Sequence, residues 1–146
     1  MKLKLFVFVL FILSLSTNMS AQNNAEEKIK SEKIAFFTNI IGLTAKEAQV
    51  FWPVYNEYWN KKNTILNKRR KKMSFFMENS DKMNNDEMIQ YADQYIQFEI
   101  ELSGLLEGYH KKFKAILPIE KVMRIYLADY EFKSYLLKKI QEKGSN

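Results

Sequence analysis

The sequence contains no cysteine, one histidine, two prolines and four glycines among its 146 residues. Without cysteine the protein can form neither a disulfide nor a thiolate nucleophile, so its stability must come from packing. No motif places a serine beside a general base, and the carboxylates follow helix faces without converging on one point. These absences indicate a non-enzymatic protein without a cofactor.

Long apolar segments are also scarce. A largely apolar run of eleven residues, Leu5–Leu15, follows a short basic start and is too short to span a bilayer, but it is typical of a signal-peptide core. We expect cleavage after Ala21, which removes residues 1–21 and leaves residues 22–146 as a single domain. Because no cysteine is available for a lipid anchor, the mature chain is predicted to be soluble in the periplasm, with secretion as the alternative.

Two capping pairs predict where helices begin. Thr44 is followed three residues later by Glu47, and Asn84 is followed three residues later by Glu87. In such a pair the first side chain accepts from the N–H of the third following residue, whose carboxylate reaches back to the first N–H. A helix is therefore predicted from Ala45, and another directly after Asn84.

Glycine and proline residues predict where other helices end, begin or bend. Gly42 suits the left-handed stop of a first helix over Glu26–Ile41, and Pro118 suits the first position of a last helix that runs to about Gln141. Pro53 falls inside the second helix, where it predicts a kink or a short helix that runs into a longer one. With no alternating segment, the prediction is an all-α, elongated four-helix hairpin or bundle.

The third helix, predicted over Asp86–Leu117, carries a coiled-coil-like apolar seam. Gly104 and Gly108 inside it mark either a soft point or a close approach by another backbone. A turn near Asp81 would pair this helix with the second one as a hairpin. Removal of residues 1–21 leaves 18 of the 21 aromatic residues. Together with the seam they exceed what one thin bundle covers, so we predict a homodimer. The seam consists of Met88, Tyr91, Tyr95, Phe98, Leu102, Leu105 and Tyr109, and it resumes at Ile116 after Lys112 interrupts it.

Positive charge is concentrated in residues 61–72, where seven of twelve residues are Lys or Arg. Nucleic acid is an obvious partner for such a run, but export argues against it. Residues 84–109 carry no Lys or Arg, and the hairpin would place residues 61–72 opposite about residues 90–101, so part of the charge is neutralised within the fold. The surplus could attract acidic clients or, weakly, anionic membrane surfaces.

Aromatic residues of the second helix, Trp52, Tyr55 and Trp59, recur at helical spacing beside this basic run. Such stripes belong to a core more often than to a binding surface, and both interpretations remain open here. As a binding surface, the aromatics would hold apolar segments and the cations would rim them. The candidate partner-binding residues are Trp52, Tyr55, Trp59, Lys61, Lys62, Lys68, Arg69 and Arg70.

A metal site has little support. Glu107 and His110 have the spacing that places both side chains on one helix face, as in di-iron bundles. Such a site needs a second histidine on a facing helix, which only a partner chain could supply. We therefore expect no metal.

Residues 43–49, LTAKEAQ, together with FWPVY at 51–55, resemble the LTXXQ-motif periplasmic proteins related to Spy and CpxP. The similarity is greatest to their short Bacteroidetes relatives, named as sensors of ECF-type sigma factors or as periplasmic heavy-metal sensors. Residues 116–121, with 130–132, resemble a second copy. Glu47 stands where the motif has Gln, and Lys121 stands at the matching place of the second copy.

The resemblance implies a cradle-shaped antiparallel dimer that binds unfolded clients or a regulator in the envelope. Two functions follow as hypotheses. One is a chaperone-like or stress-sensing protein that holds flexible polypeptides on an aromatic surface rimmed by Lys and Arg. The other is a dedicated structural or signalling subunit of one envelope partner, for example in sigma/anti-sigma regulation, with metal sensing as a further alternative.

Overall fold

The computed structural model describes residues 27–144, so the predicted signal peptide and its cleavage site lie outside the described residues. The described chain is helical apart from short connections between the helices and contains no strand, which confirms the all-α class. The elements in chain order are α1 (27–41), α2 (Ala45–Asn79), a short 3₁₀ turn (Ser80–Lys82), α3 (Asn85–Ile116) and α4 (Ile119–Gly144).

Both predicted capping boxes are formed. The Glu47 N–H donates to Thr44 Oγ1 at 3.3 Å, and the Thr44 N–H donates to Glu47 Oε2 at 2.8 Å. At the start of α3, the Glu87 N–H donates to Asn84 Oδ1 at 3.0 Å and the Asn84 N–H donates to Glu87 Oε2 at 2.9 Å. Each box satisfies two backbone donors that a helix N-terminus otherwise leaves open.

Glycine and proline act at the helix ends largely as predicted. Gly42 has φ 70°, and its N–H donates to Thr38 O at 3.0 Å, which closes α1 in the left-handed conformation. Pro118 lies just before α4 rather than at its first position, and its carbonyl accepts from Val122 N–H at 3.1 Å. α2 is continuous through Pro53, so two separate helices are not observed there, and the kink stays a prediction.

The described residues belong to two compact units, which are considered separately. The first contains α1 and the part of α4 from Arg124 onward. Its buried side chains include Phe37 and Phe132, whose ring centroids are 6.0 Å apart. An ion pair between Lys139 Nζ and Glu32 Oε1, at 2.5 Å, joins α4 to α1 in this unit.

The second unit, Leu43–Met123, contains the hairpin of α2 and α3. Near the ends of the hairpin opposite its turn, buried aromatic rings form the core, with Tyr58 and Tyr109 at 5.3 Å between ring centroids and Phe51 and Tyr55 at 5.2 Å. Such aromatic pairs stabilise a core beyond the area that they bury. The helix face that packs inward is Phe51, Tyr55 and Tyr58.

The predicted hairpin turn is present, with a 3₁₀ turn at Ser80–Lys82 between α2 and α3. Arg69 forms an ion pair with Glu99, and Lys72 Nζ lies 5.0 Å from the centroid of the Tyr91 ring. For these pairs, the prediction that residues 61–72 lie opposite about residues 90–101 is confirmed.

Gly104 and Gly108 lie in open surroundings. A Cβ atom added at either position would meet nothing within 4 Å. The predicted alternative of a close backbone approach is therefore wrong within the described chain. The soft-point interpretation stays a prediction.

Candidate functional site

The half of the α2–α3 hairpin that carries the turn has no buried residue. From Trp59 to Gly108 every side chain retains some solvent exposure. Two helices alone cover only part of each other's apolar surface, so many apolar side chains remain in contact with solvent. The large exposed ones are Met73, Phe75, Met77, Met88, Ile89, Tyr95, Ile96, Ile100 and Leu106.

An apolar cavity of about 450 Å³ lies between the two helices in this half. We call it the hairpin groove. α2 contributes two cations, a methionine and a phenylalanine, and α3 contributes mainly apolar and aromatic side chains. The lining residues are Arg69, Lys72, Met73, Phe76, Met88, Tyr91, Ala92, Gln94, Tyr95, Ile96 and Phe98.

Tyr91 is the aromatic centre of the groove. Its ring is 6.0 Å from the ring of Phe75 in a stacked arrangement, and 6.0 Å from that of Phe76 in a tilted one. Lys72 Nζ lies 5.0 Å from the Tyr91 centroid, and Arg69 Cζ lies 5.8 Å from the Tyr95 centroid. These cation–π contacts hold both cations against the aromatic wall, where the ring faces attract positive charge.

The contacts explain why the apolar stripe of α2 tolerates cations. Trp59, Leu66 and Met73 form an apolar stripe, and Lys62 and Arg69 occupy the positions between them at which three- and four-residue steps would place further apolar residues. Lys62 Nζ lies 5.4 Å from the centroid of the Tyr58 ring and 5.7 Å from that of the Trp59 ring. The aliphatic part of Lys62 therefore packs on these rings, and the ring faces attract its ammonium group. Arg69 makes a cation–π contact with Tyr95 and also forms an ion pair with Glu99.

Some cations of the basic run, residues 61–72, form ion pairs and others do not. Lys61 Nζ pairs with Glu57 Oε1 at 2.7 Å, and Arg69 pairs with Glu99. Three exposed cations of the run, in contrast, form no ion pair with any carboxylate in residues 27–144. They are Lys68, Arg70 and Lys71.

Glu57 lies where the basic run begins and links the two helices. The hydrogen bond from Lys61, together with a contact from Lys112 Nζ at 3.2 Å, lowers the pKa of the Glu57 carboxyl to about 2. The same partnership raises the pKa of Lys61. This carboxylate therefore stays ionised and neutralises cations at the inner end of the run, away from the hairpin groove.

The sequence-predicted aromatics lie near the buried core and do not line the hairpin groove. Tyr55 is only 1% exposed, which places it among core residues. Trp52 and Trp59 are half-buried, and their ring centroids lie 5.8 Å and 6.5 Å from that of Tyr55. Of the predicted partner-binding residues, only Arg69 lines the groove, and a binding role for the others stays a prediction.

Tyr91, Tyr95 and Met88 appeared in the sequence only as members of a helix seam, and the groove adds a second role to them. Their position in the sequence beside the hairpin turn could have predicted this role, because no third helix of the second unit is available there to cover them. Met73 and Phe76 carry the same signal on α2.

No potential metal centre is found among the residues that the structure describes. No three or more His, Asp or Glu side chains in that part of the chain are grouped closely enough to hold an ion. Glu107, half of the Glu-x-x-His spacing, pairs with Lys111 Nζ at 2.9 Å, and this hydrogen bond lowers the pKa of its carboxyl.

No family model, curated protein or solved structure matches the chain. Within residues 27–144, no helix combines the length and the apolar character needed to cross a membrane.

Proposed function

We propose that this protein is an exported, non-enzymatic binding protein of the cell envelope that holds flexible polypeptide segments in the hairpin groove. The observation that carries the proposal is a solvent-exposed apolar groove with Arg69 and Lys72 held against its aromatic wall. Its ligands are segments that combine apolar side chains with carboxylates.

The size and lining of the groove support this proposal. Ligand pockets in proteins usually measure about 300–1,000 Å³, and the volume of about 450 Å³ falls in that range. Met73 and Met88 are flexible and polarisable, and methionine is over-used on surfaces that accept varied partners. Such a lining suits clients of different sequence better than one fixed ligand.

Charge supports the acidic character of the clients. Lys68, Arg70 and Lys71 are exposed and adjoin the two groove cations along α2. Unneutralised charge of one sign speeds the encounter with segments of the opposite sign, while apolar contacts determine how long they stay. The same field would give weak contact with anionic membrane surfaces.

The proposed location and the proposed chaperone-like role are supported by features of the sequence. The signal-peptide pattern of residues 1–21 supports export to the periplasm, and the resemblance of residues 43–55 to LTXXQ-motif proteins supports a chaperone-like or stress-sensing role. The absence of cysteine and of a convergent catalytic set supports a role without chemistry.

The decisive experiment introduces one charge into the groove and the same charge outside it. Met73→Glu places a carboxylate in the groove, whereas Met77→Glu, at a more exposed position that does not line it, is the matched control. We expect the wild type and Met77→Glu to suppress aggregation of two unrelated unfolding proteins, and Met73→Glu to lose most of this activity. Equal activity of the two variants would contradict the assignment of the groove.

A second candidate function is that of a dedicated subunit of one envelope partner, such as a sigma-factor regulator. Ile89, Ile96 and Ile100 are each more than half exposed on α3. β-Branched side chains are stiff and suit a fixed interface better than a varied one. Suppression of aggregation for neither test protein, with tight binding to a single envelope partner, would favour this candidate.

A further inference from the structure

Methionine is concentrated at the turn of the hairpin. Of the five methionines in residues 27–144, four fall between positions 73 and 88, and none of the five is buried. The sequence has no cysteine, so methionine thioethers are its only oxidisable sulfur atoms. The five are Met73, Met77, Met83, Met88 and Met123.

Two of these methionines share the groove although they lie on different helices. Met73 of α2 and Met88 of α3 both line it, and each is 40% exposed. A dissolved oxidant can therefore reach both sulfur atoms, while a bound client would cover them. Met77 and Met123 are more exposed, at 74% and 60%, but do not line the groove.

We propose that Met73 and Met88 are oxidation sites through which a two-electron oxidant, hydrogen peroxide or hypochlorous acid, lowers the affinity of the hairpin groove for apolar ligands. With peroxide, the thioether sulfur attacks one peroxide oxygen, an S–O bond forms, and the O–O bond breaks. Sulfur loses two electrons, and the other oxygen leaves as water after proton transfer. The product is methionine sulfoxide.

The physical effect follows from the chemistry of the lining. A sulfoxide is a polar acceptor that binds water, and an apolar ligand in the groove must displace that water. Leaving one such group poorly hydrogen-bonded weakens binding roughly tenfold, the equivalent of about 1.4 kcal/mol. Because sulfoxide reductases return the thioether, the change is reversible.

The inference rests on the proposed function where it concerns clients, so its test uses a small probe with an apolar ring system instead of a client. The probe is the anionic dye ANS, titrated by fluorescence into the intact protein before and after treatment with hydrogen peroxide. Mass spectrometry of peptides records which methionines are oxidised, and circular dichroism records the helix content. Treatment with sulfoxide reductases of both stereospecificities follows.

The variants separate groove oxidation from oxidation elsewhere. Met73→Leu/Met88→Leu keeps the groove apolar with little change of volume, and Met77→Leu/Met123→Leu is the control with the same number of methionines removed. We expect peroxide to weaken dye binding roughly tenfold in the wild type and in the control, with full recovery after reduction. The Met73→Leu/Met88→Leu protein should keep its affinity.

Three results would overturn the inference: no dye binding by the reduced protein, the same loss in both double variants, or a loss accompanied by falling helix content. Failure of the proposed function gives a different pattern. In that case no unfolding protein is held by the reduced wild type, while the dye still reports an oxidation effect that depends on Met73 and Met88.

Discussion

Lys121 Nζ lies 2.6 Å from Glu47 Oε2, the same oxygen that accepts the Thr44 backbone N–H at 2.8 Å. Glu47 thus joins the cap of α2 to the first turn of α4. The hydrogen bond from Lys121, followed by those from Thr44, lowers the pKa of the Glu47 carboxyl to about 2. The contact between Lys121 and Glu47 is a charge-assisted hydrogen bond, which is stronger than one between neutral groups.

The first prediction concerns acid stability. Because the folded pKa of Glu47 is lowered, the stability that it contributes is present above its unfolded pKa of about 4.5 and is lost as the pH falls towards 2. The free energy of unfolding of the wild type should exceed that of Glu47→Gln at pH 7, and the gap should close between pH 4.5 and 2. Urea titrations at several pH values measure it.

Glu78→Gln is the control, since Glu78 is exposed and forms no ion pair within the described chain. A constant gap between the wild type and Glu47→Gln from pH 7 to pH 2 would show that the Lys121 contact does not act through the ionised carboxylate.

The second prediction concerns glycine. Gly104→Ala and Gly108→Ala should each stabilise the protein by ~0.5–1 kcal/mol, because alanine is the better helix former and its Cβ meets no atom at either position. Gly42→Ala should destabilise it by about 1–2 kcal/mol, because its φ of 70° is left-handed. Chemical denaturation of the three variants gives the comparison. Destabilisation by Gly104→Ala or Gly108→Ala would indicate that a second chain packs there.

The third prediction concerns the free cations. Lys68→Gln/Arg70→Gln should slow association with a reduced, carboxymethylated acidic protein, because both side chains are exposed and form no ion pair in residues 27–144. Raising the ionic strength from about 0.05 to 0.5 M shortens the Debye length from roughly 14 to 4 Å and should slow the wild type similarly. Dissociation should change little. Stopped-flow fluorescence separates the two rates.

Lys46→Gln/Lys114→Gln removes the same charge from exposed positions away from the groove and serves as the control. Association of the wild type that responds neither to salt nor to Lys68→Gln/Arg70→Gln would mean that the basic run serves the fold alone.

The fourth prediction concerns association with a second copy. We expect a homodimer at tens of micromolar, a range in which functional dimers persist. Ile89→Glu/Ile100→Glu should shift it to monomer, because both side chains are more than half exposed on α3 and do not line the groove. Sedimentation equilibrium measures the mass. Gln90→Glu/Gln97→Glu adds equal charge on α3 and should leave the dimer intact, and a monomeric wild type would disprove the prediction.

The sequence predicted the helix ends well because short-range chemistry controls them. A left-handed residue is needed at Gly42, and the caps at Thr44 and Asn84 act within three residues of themselves. The all-α class follows from the same local evidence. Even the position of Lys62 in an apolar stripe is explained by neighbouring rings on its own helix.

The choice of inward face was harder to predict. Trp52, Tyr55 and Trp59 share one helical stripe, but the buried face contains Phe51, Tyr55 and Tyr58. Adjacent residues differ by about 100° around a helix, so a broad aromatic surface allows several inward faces of similar periodicity. Contact with Tyr109 and Phe113 of α3 selects among them.

By itself, the sequence determined which segments are helical, where they begin and end, and that α2 and α3 form a hairpin. Only the tertiary structure decided that Arg69 pairs with Glu99 and that Met73 and Met88 share one groove. The physical reason is that hairpin register depends on the geometry of residues 80–84 and on interhelical packing, and a shift of one turn changes every pair of side chains that meet.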